Sequence, residues 1–368
     1  MDASPLLDLH RSAGARLVPP PSGDLLLTYG QVPEEYEAAR NACAMFDATT
    51  LGAIEVRGAD AEDFLHRLLS NRIKGLAVGC GNATLLLDGK GKVLHAMDLA
   101  REAQDRFRLT TRPGRSADLA TALDMYLFAE SVELEDLSAG LAPIELTGAT
   151  ARAVLGQVVT GDLPTNEHDF ADLTFGDVPC RVTSLPVAGA PGFRVEAGAV
   201  YATALWTALV EAGARPSGLA VRDMLRVEAG RARWGDDVDD AVYPQEARWL
   251  DAFSLDKGCY IGQEVVAKID TYGGLNKRLM ALRVDVDEPV PRGTRLFKDQ
   301  DGEWRDLGVV TSWAYSFTLD AGLVLAYVKR KHQELGTVFR LGEGPGTATL
   351  VPLPVRPESL VPADEVDA

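Results

Sequence analysis

The first group in this chain placed to do chemistry is a cysteine that stands between a glycine and an aromatic ring, two positions after a lysine. In Asp256-Lys257-Gly258-Cys259-Tyr260-Ile261-Gly262-Gln263-Glu264 the thiol of Cys259 comes just ahead of a segment, 263–268, that reads as the first turns of a helix. A nearby ammonium and the positive end of a helix dipole both favour thiolate over thiol, and the glycines let backbone or ligand approach closely. The plainer alternative is a cysteine buried as a small apolar residue. Glu228 is the second such group, near the C-terminal end of a helix predicted over 218–230, where the helix dipole disfavours negative charge. It needs a partner: Arg222 or Arg226 within the fold, or a ligand offering two N–H groups. Arg222, Arg226, Arg231, Arg233, Arg248 and Lys257 concentrate positive charge here and either receive an anionic ligand or face solvent.

Several elements must position these groups. Tyr36, Ala39, Cys43 and Phe46 recur at helical spacing after Pro33, which predicts a helix over 32–46 with Cys43 in the core. Ile54-Glu55-Val56-Arg57 alternates as a strand up to Gly58, and Asp60 reads as the N-cap of a helix whose apolar face is Phe64, Leu65, Leu68 and Leu69. His66, beside them, packs or faces solvent. Ninety residues on, Ile144-Glu145-Leu146-Thr147-Gly148-Ala149-Thr150-Ala151 repeats strand, glycine, capping residue and helix, with Val154 and Leu155 in the places of Phe64 and Leu65. Each copy continues with paired strands, 83–87 to Leu99 or 180–182 to Val195, and then a helix, 117–127 or 201–212. Each unit thus reads β-α-β-β-α, a sheet with helices on one face.

Asp88-Gly89-Lys90-Gly91-Lys92 is the hairpin turn of the first copy, and without a serine or threonine at P-loop spacing it is no nucleotide cradle. Residues 110–116 read as a loop leading to a capped helix. Within 218–230, Leu219, Met224, Leu225 and Val227 are available for the core, and 234–240 follows as an acidic loop. After 276–278 the texture changes to short alternating strands, 279–286, 295–297, 307–311, 323–327 and 338–340, which predict a separate antiparallel β-barrel. Beyond about Val355 the acidic tail is expected to be disordered.

A length of 368 residues predicts two or three domains with cores large enough to fold unaided. The net charge of −17 opposes nonspecific attraction to phosphate backbones, and no basic–aromatic stripe offers to stack bases, so direct nucleic-acid binding is not expected. Cys43, Cys80, Cys180 and Cys259 lie far apart with no CxxC or finger spacing. That spacing suggests neither a disulfide framework nor a self-contained zinc or cluster site, and leaves open a cluster shared with a partner. The N-terminal residues lack a signal peptide's basic start and apolar run, and no segment gives about 20 unbroken apolar residues. The expectation is a cytoplasmic protein without a membrane partner, and, with no dimerisation helix in view, a monomer.

Leu225-Arg226-Val227-Glu228-Ala229-Gly230 followed by Lys257-Gly258-Cys259-Tyr260-Ile261-Gly262-Gln263-Glu264 resembles the YgfZ-type folate-binding family, relatives of the glycine-cleavage T-protein (aminomethyltransferase) and of a mitochondrial iron–sulfur assembly factor. Met45-Phe46-Asp47, Val310-Thr311-Ser312 and Ala326-Tyr327-Val328 extend the resemblance over nearly the whole chain. T-proteins usually keep Ile-Gly-x-Glu but lack the cysteine. The resemblance implies an α+β fold of three domains in a cloverleaf: two related α+β units and a C-terminal antiparallel β-barrel, with reduced folate at the centre. Residues 1–275 would form the folate-binding region, as two intertwined units of which the first covers about 50–140. Residues 276–355 would form the barrel, and 356–368 the tail.

By the same resemblance Glu228 reads the pterin's amino and ring N–H pair, a bidentate task suited to an acceptor-only carboxylate. Lys257 falls near a basic residue that T-proteins use for folate. Two departures stand out. T-proteins carry an Asp-Asp pair after the first hairpin where this chain has His95-Ala96, and their Thr-Gly-Tyr-Thr-Gly-Glu turn is replaced by Ser184-Leu185-Pro186-Val187-Ala188-Gly189. The implied function is a tetrahydrofolate-binding protein supporting assembly or repair of iron–sulfur client enzymes, tRNA-modifying ones included, with Cys259 as its essential thiol. The rival is a folate-dependent aminomethyl- or methyltransferase using His95 for the missing acid, and whether the chain is an enzyme stays open between them. An interaction scaffold that needs neither folate nor thiol is the third reading.

Overall fold

The computed structural model describes residues 4–18 and 25–356, so the expectation for the tail falls, from 357 onward, outside them. The chain divides into two compact units. The first holds the residues up to Leu87 together with Leu94–Arg222 and Asp251–Ile261, and the second holds Asp88–Val93, Asp223–Leu250 and the chain from Gly262.

The first unit is built from the repeat. Its five-stranded sheet runs in the order Gly81–Leu87, Val93–Ala103, Arg106–Thr111, Gly52–Arg57, Glu133–Asp136. Its six-stranded sheet runs Phe170–Phe175, Val178–Val187, Ala190–Gly198, Leu141–Thr147, Ala44–Asp47, Arg215–Ser217. The first four places match strand for strand, so the two copies share a topology. Each contains one strand more than the sequence reading allowed, Arg106–Thr111 or Phe170–Phe175. Arg106–Thr111 carries Arg106, Arg108 and Thr110 on one face and so lacks an apolar run, and Thr110 and Thr111 belong to it rather than to a loop.

Helices Ala61–Leu68 and Ser116–Asp124 bury Phe64, Leu65, Leu119 and Leu123 against Ile54, Val56, Leu99 and Phe107 of the first sheet. Helices Ala151–Val158 and Ala202–Glu211 do the same for the second sheet, with Leu155, Leu205 and Leu209 against Ile144, Leu146 and Val195. Apolar side chains alternating along each strand meet a helix stripe of matching period, which is why the copies fold alike. Gly58 and Gly148, at the same place in each copy, have φ of +137° and +116°. A Cβ at either would collide with a backbone carbonyl, of Ser131 or of Ala42, so glycine is required on both counts.

Two local readings need correction. The helix predicted over 32–46 ends at Asn41, and Phe46 lies on the strand Ala44–Asp47. A short apolar run buried on both faces carries no period that separates helix from strand. Cys43 is core, fully buried. Asp60, Thr150 and Arg115 occupy N-cap positions without making a side-chain cap bond, and Asp60 instead accepts from the Ser131 N–H at 2.7 Å.

In the second unit six strands close an antiparallel barrel in the order Lys277–Val284, Ala321–Lys329, Glu303–Ser316, Arg295–Gln300, Val338–Leu341, Thr347–Val351. The last strand is one that the sequence reading lacked. Leu282, Leu296, Val310, Val324, Val328 and Phe339 fill its interior. Among the described residues no helix is long and apolar enough to cross a membrane.

Candidate functional site

The loop bearing Cys259 is tied to the end of the helix Ala61–Leu68 and the turn after it. Ser70, fully buried, donates its hydroxyl to the Ala252 carbonyl at 2.6 Å and accepts the Leu85 N–H at 2.9 Å. The Asn71 amide donates to the carbonyls of Asp251 and Ala83, each at 2.8 Å, and Ser254 N–H donates to Ser70 O at 2.9 Å. His66 Nδ1 accepts the N–H groups of Ile73 and Lys74, so its proton sits on Nε2 and is donated to the Lys257 carbonyl at 2.9 Å. Desolvation and the Lys257 charge lower the His66 pKa, which keeps the ring neutral and the tautomer fixed. His66 is half-buried, and its ring does more than pack or meet solvent. It holds the loop.

Lys257 completes a reciprocal clasp by donating its ammonium to the His66 carbonyl, and its charge lies 5.0 Å from the centroid of the Tyr260 ring. It is buried, and desolvation, helped by the Arg72 charge, brings its pKa down to about 8. The Cys259 thiol is exposed while Cys43 and Cys180 are buried. It opens on a groove of about 390 Å³ lined by Arg67, Leu68, Tyr126, Phe128, Tyr260 and Ile261. The rest of the lining is mostly apolar, and Phe128 stands largely exposed at its edge. The helix predicted after the cysteine forms as Gln263–Tyr272, in the second unit.

Glu228, also in the second unit, is the last residue of the helix Leu219–Glu228 and is buried. Its carboxylate accepts the Ser316 hydroxyl at 2.5 Å, with the Thr318 N–H at 3.4 Å. Neither arginine expected beside it takes that role. Arg222 bonds Glu145 at 2.5 Å. Arg226 bonds Asp223 at 2.9 Å, Asp237 at 2.8 Å and the Ser312 hydroxyl at 2.9 Å. Asp237, from the predicted acidic loop, is itself buried and also accepts from Ser312 and Thr311. Arg233 pairs with Asp223 and Asp236, and Arg248 donates to the Leu279 carbonyl at 2.7 Å. The local concentration of basic residues is largely spent inside the protein.

The faces of the two sheets of the first unit that turn away from their helices are charged. Arg194 bonds Glu145 at 2.9 Å within its sheet and Asp98 of the other sheet at 3.2 Å. Arg108 reaches Glu196 at 3.4 Å, and Arg181 reaches Glu102. Burial opposes ionisation of Asp98 and Glu145, yet Arg194 beside the first, and Arg222 with Arg194 beside the second, overcome it and hold both below the usual carboxylate range. Sequence reading missed this layer because its partners are remote in the chain.

His95 lies on the other face. It shares strand parity with Met97 and Leu99, which point to the helices, whereas Ala96 shares parity with Asp98. Burial and the Arg115 charge bring the His95 pKa down to about 4, and its buried Nδ1 has no hydrogen-bond partner. A neutral imidazole turned into the core cannot stand in for an acid on the charged face.

Comparison with known proteins agrees with this architecture. Residues 6–257 match the model of the GCVT N-terminal domain, and residues 277–355 match that of the glycine cleavage T-protein C-terminal barrel domain. An aminomethyltransferase of Symbiobacterium thermophilum is 33% identical over 91% of this chain and 91% of its own length. One from Rubrobacter xylanophilus is 31% identical over 95% and 93%. The crystal structure of the glycine cleavage system aminomethyltransferase T from Bartonella henselae superposes with a TM-score of 0.85 at 25% identity, covering 96% of this chain and 97% of that one. By matched domains, by sequence along its length and by fold, this chain belongs to the glycine-cleavage T-protein family.

Proposed function

We propose that this family member is of the YgfZ type: a tetrahydrofolate-binding protein that supports the assembly or repair of iron–sulfur enzymes, with Cys259 as the thiol that meets the client. The observation that carries the reading is the exposed thiol, set in an open, mostly apolar groove on a loop clasped by His66 and Lys257. A cysteine kept only for packing would be buried, as Cys43 and Cys180 are. For the ligand, a buried acceptor-only carboxylate such as Glu228 fits the amino and ring N–H donors of a reduced pterin. When bound, folate supplies a one-carbon acceptor. Glu228 orients it, and Lys257 serves the loop beside the thiol.

A second reading, folate-dependent aminomethyl transfer, is favoured by the names of the relatives, which match along nearly the whole chain. Against it stands the charged face of the first sheet, where Ala96 replaces an expected carboxylate and His95 points the other way.

Calorimetric titration with tetrahydrofolate tests the ligand. The wild type binds, and Glu228→Ala, with circular dichroism unchanged, loses about tenfold or more in affinity, as expected when a charge-assisted pair is removed. Complementation then separates the two readings. A Cys259→Ser variant that binds folate but fails to restore iron–sulfur enzyme activity in cells lacking the protein supports the first. Turnover with an aminomethylated lipoyl carrier, indifferent to Cys259→Ser, establishes the second.

A further inference from the structure

The groove beside Cys259 is more closely built than an accessible thiol requires. The chain that forms its edge, residues 125–130, leaves the helix Ser116–Asp124 through turns in which Tyr126 N–H donates to Leu123 O and Leu127 N–H to Asp124 O, each at 3.0 Å. It then curls around the carboxylate of Glu130, which accepts the N–H groups of Phe128 at 2.9 Å and Ala129 at 3.1 Å and the guanidinium of Arg67. The Phe128 N–H and then the Ala129 N–H are the largest influences that bring the Glu130 pKa down to about 2. Arg67 also donates to the Tyr126 carbonyl at 3.2 Å. This holds in place two large apolar side chains that face water, Phe128 at 87% exposure and Met125 at 64%. A loop pinned by its backbone while it shows an aromatic ring to water is pre-organised for contact, since little of its freedom is left to lose on binding.

Of the lining residues, all within the first unit, Arg67 alone carries a fixed charge, and it is spent on Glu130. An incoming group therefore meets no free charge, only the apolar wall of Leu68, Tyr126, Phe128 and Ile261. One polar demand remains. Tyr260, also in the lining, is only 7% exposed, and its buried hydroxyl has no hydrogen-bond partner among the described residues. A hydroxyl left unpaired in the free protein costs stability, and an acceptor brought by a ligand recovers it. An uncharged apolar body with an acceptor beside it is what a peptide offers, as a large apolar side chain and the neighbouring carbonyl. At about 390 Å³ the groove lies at the small end of ligand clefts, in keeping with one such side chain and its backbone.

We propose that this groove is the recognition pocket for the client segment that Cys259 meets: an uncharged stretch of peptide whose large apolar side chain packs on Tyr126 and Phe128 and whose backbone carbonyl accepts the Tyr260 hydroxyl. The proposal rests on the client reading above and adds to it the chemistry of the partner at the point of contact. Selection is by apolar fit beside the atom that the thiol engages, so it persists at high salt, where charge-steered contacts weaken.

Three mixed disulfides of thionitrobenzoate test it on the full chain: with acetyl-Phe-Cys-amide, with acetyl-Ser-Cys-amide, and with 2-mercaptoethanol, which has no backbone. Attack by Cys259 forms its disulfide with the probe, breaks the probe's bond to thionitrobenzoate and releases that coloured anion, while the thiol proton passes to solvent. Rates in Cys259→Ser give the contribution of the other cysteines. Measured against N-acetylcysteine, which has no groove, the wild type prefers the Phe probe to the Ser probe by about fivefold or more, as expected when part of a phenyl ring leaves water, and keeps that preference in about 1 M salt. Phe128→Ser brings the ratio towards one. Tyr260→Phe cuts the advantage of the Ser probe over the mercaptoethanol probe about two- to tenfold, while its urea midpoint holds or rises because an unpaired buried hydroxyl is gone. Equal rates with the Phe and Ser probes, or a preference untouched by Phe128→Ser, overturn the pocket and leave the thiol reading in place. A lowered urea midpoint in Tyr260→Phe overturns it too, since the hydroxyl would then serve the fold. No release above that of Cys259→Ser with any probe means that the thiol reading fails, and the proposal falls with it. Co-sedimentation with phosphatidylcholine vesicles that Phe128→Ser abolishes assigns the apolar edge to a lipid surface and overturns the peptide.

Discussion

The two copies of the repeat begin with the same plan and are put to different uses. Ile54-Glu55-Val56 and Ile144-Glu145-Leu146 are equivalent strands, and Phe64-Leu65 and Val154-Leu155 equivalent helix faces, so the framework is shared. At the next residue the copies part. His66, Ser70 and Asn71 of the first copy stand where the second has Gly156, Thr160 and Gly161. Those three polar side chains are the ones that hold the Cys259 loop. The second copy, without them, buries the ion-paired Glu145, whose counterpart Glu55 is only half-buried. A held loop has been added to one copy by side chains that the framework does not need, and charge has been buried in the other.

The largest effect expected from this contrast is in the equivalent glutamates. Glu145 is 1% exposed and joins Arg194 and Arg222, so Glu145→Ala leaves half-buried Arg222 without its carboxylate and buried Arg194 with Asp98 alone, and costs about 3–5 kcal/mol in urea unfolding. Glu55 faces Arg57 and Arg106, each nearly half exposed, and Glu55→Ala costs about 0–1 kcal/mol. The sign with pH follows from the depressed Glu145 pKa. Its contribution is present above the ordinary value of 4.5 and is lost as pH falls through the lower folded value. Equal costs at neutral pH would erase the distinction between the copies.

The next contrast lies in the anchors. Ser70→Ala leaves the Ala252 carbonyl and the Leu85 N–H without their buried partner, for a cost of about 2–4 kcal/mol. It also frees the loop, so amide exchange across 251–261 quickens. Thr160 is exposed and joins Thr174 only through backbone, so Thr160→Ala stays within about 0.5 kcal/mol. If exchange in 251–261 is unchanged by Ser70→Ala, the polar side chains of the first copy are not what positions the loop.

What could be read from sequence divides along the same line. Strand, glycine, helix and their return were legible because apolar period and a glycine with positive φ are local properties, and the barrel was legible from its alternation. The helix end at Asn41 and the strand Arg106–Thr111 were not, since a doubly buried run and a charged strand face each mask the period. The partners of Glu145, Glu228 and Asp237 were beyond reach: Arg222, Ser316 and Ser312 lie 77, 88 and 75 residues away. One signal was available and unused, the failure of His66 to match Gly156 in an otherwise faithful repeat.

Lys257 gives the smallest and sharpest test, because the clasp of the first copy has a cost that the second copy does not bear. Its pKa falls from 10.5 to about 8 in the folded protein, chiefly by desolvation. Below about pH 8 the group is charged in both states, and the folded state carries the whole desolvation penalty. Between that pH and the unfolded value the unfolded chain binds more protons, so stability must rise with pH. From about pH 7.5 to about pH 9.5 the wild type should gain on the order of 1–2 kcal/mol relative to Lys257→Met, which has no proton to lose. Tyr260, pushed up to about 12 by burial, is present in both proteins and cancels in the difference. Urea unfolding of the pair at the two pH values measures it. Parallel profiles would mean that the ammonium is still hydrated in the folded state. Holding the cysteine loop would then cost the first copy nothing, and the absence of a clasp in the second would have to be explained by its glycines alone.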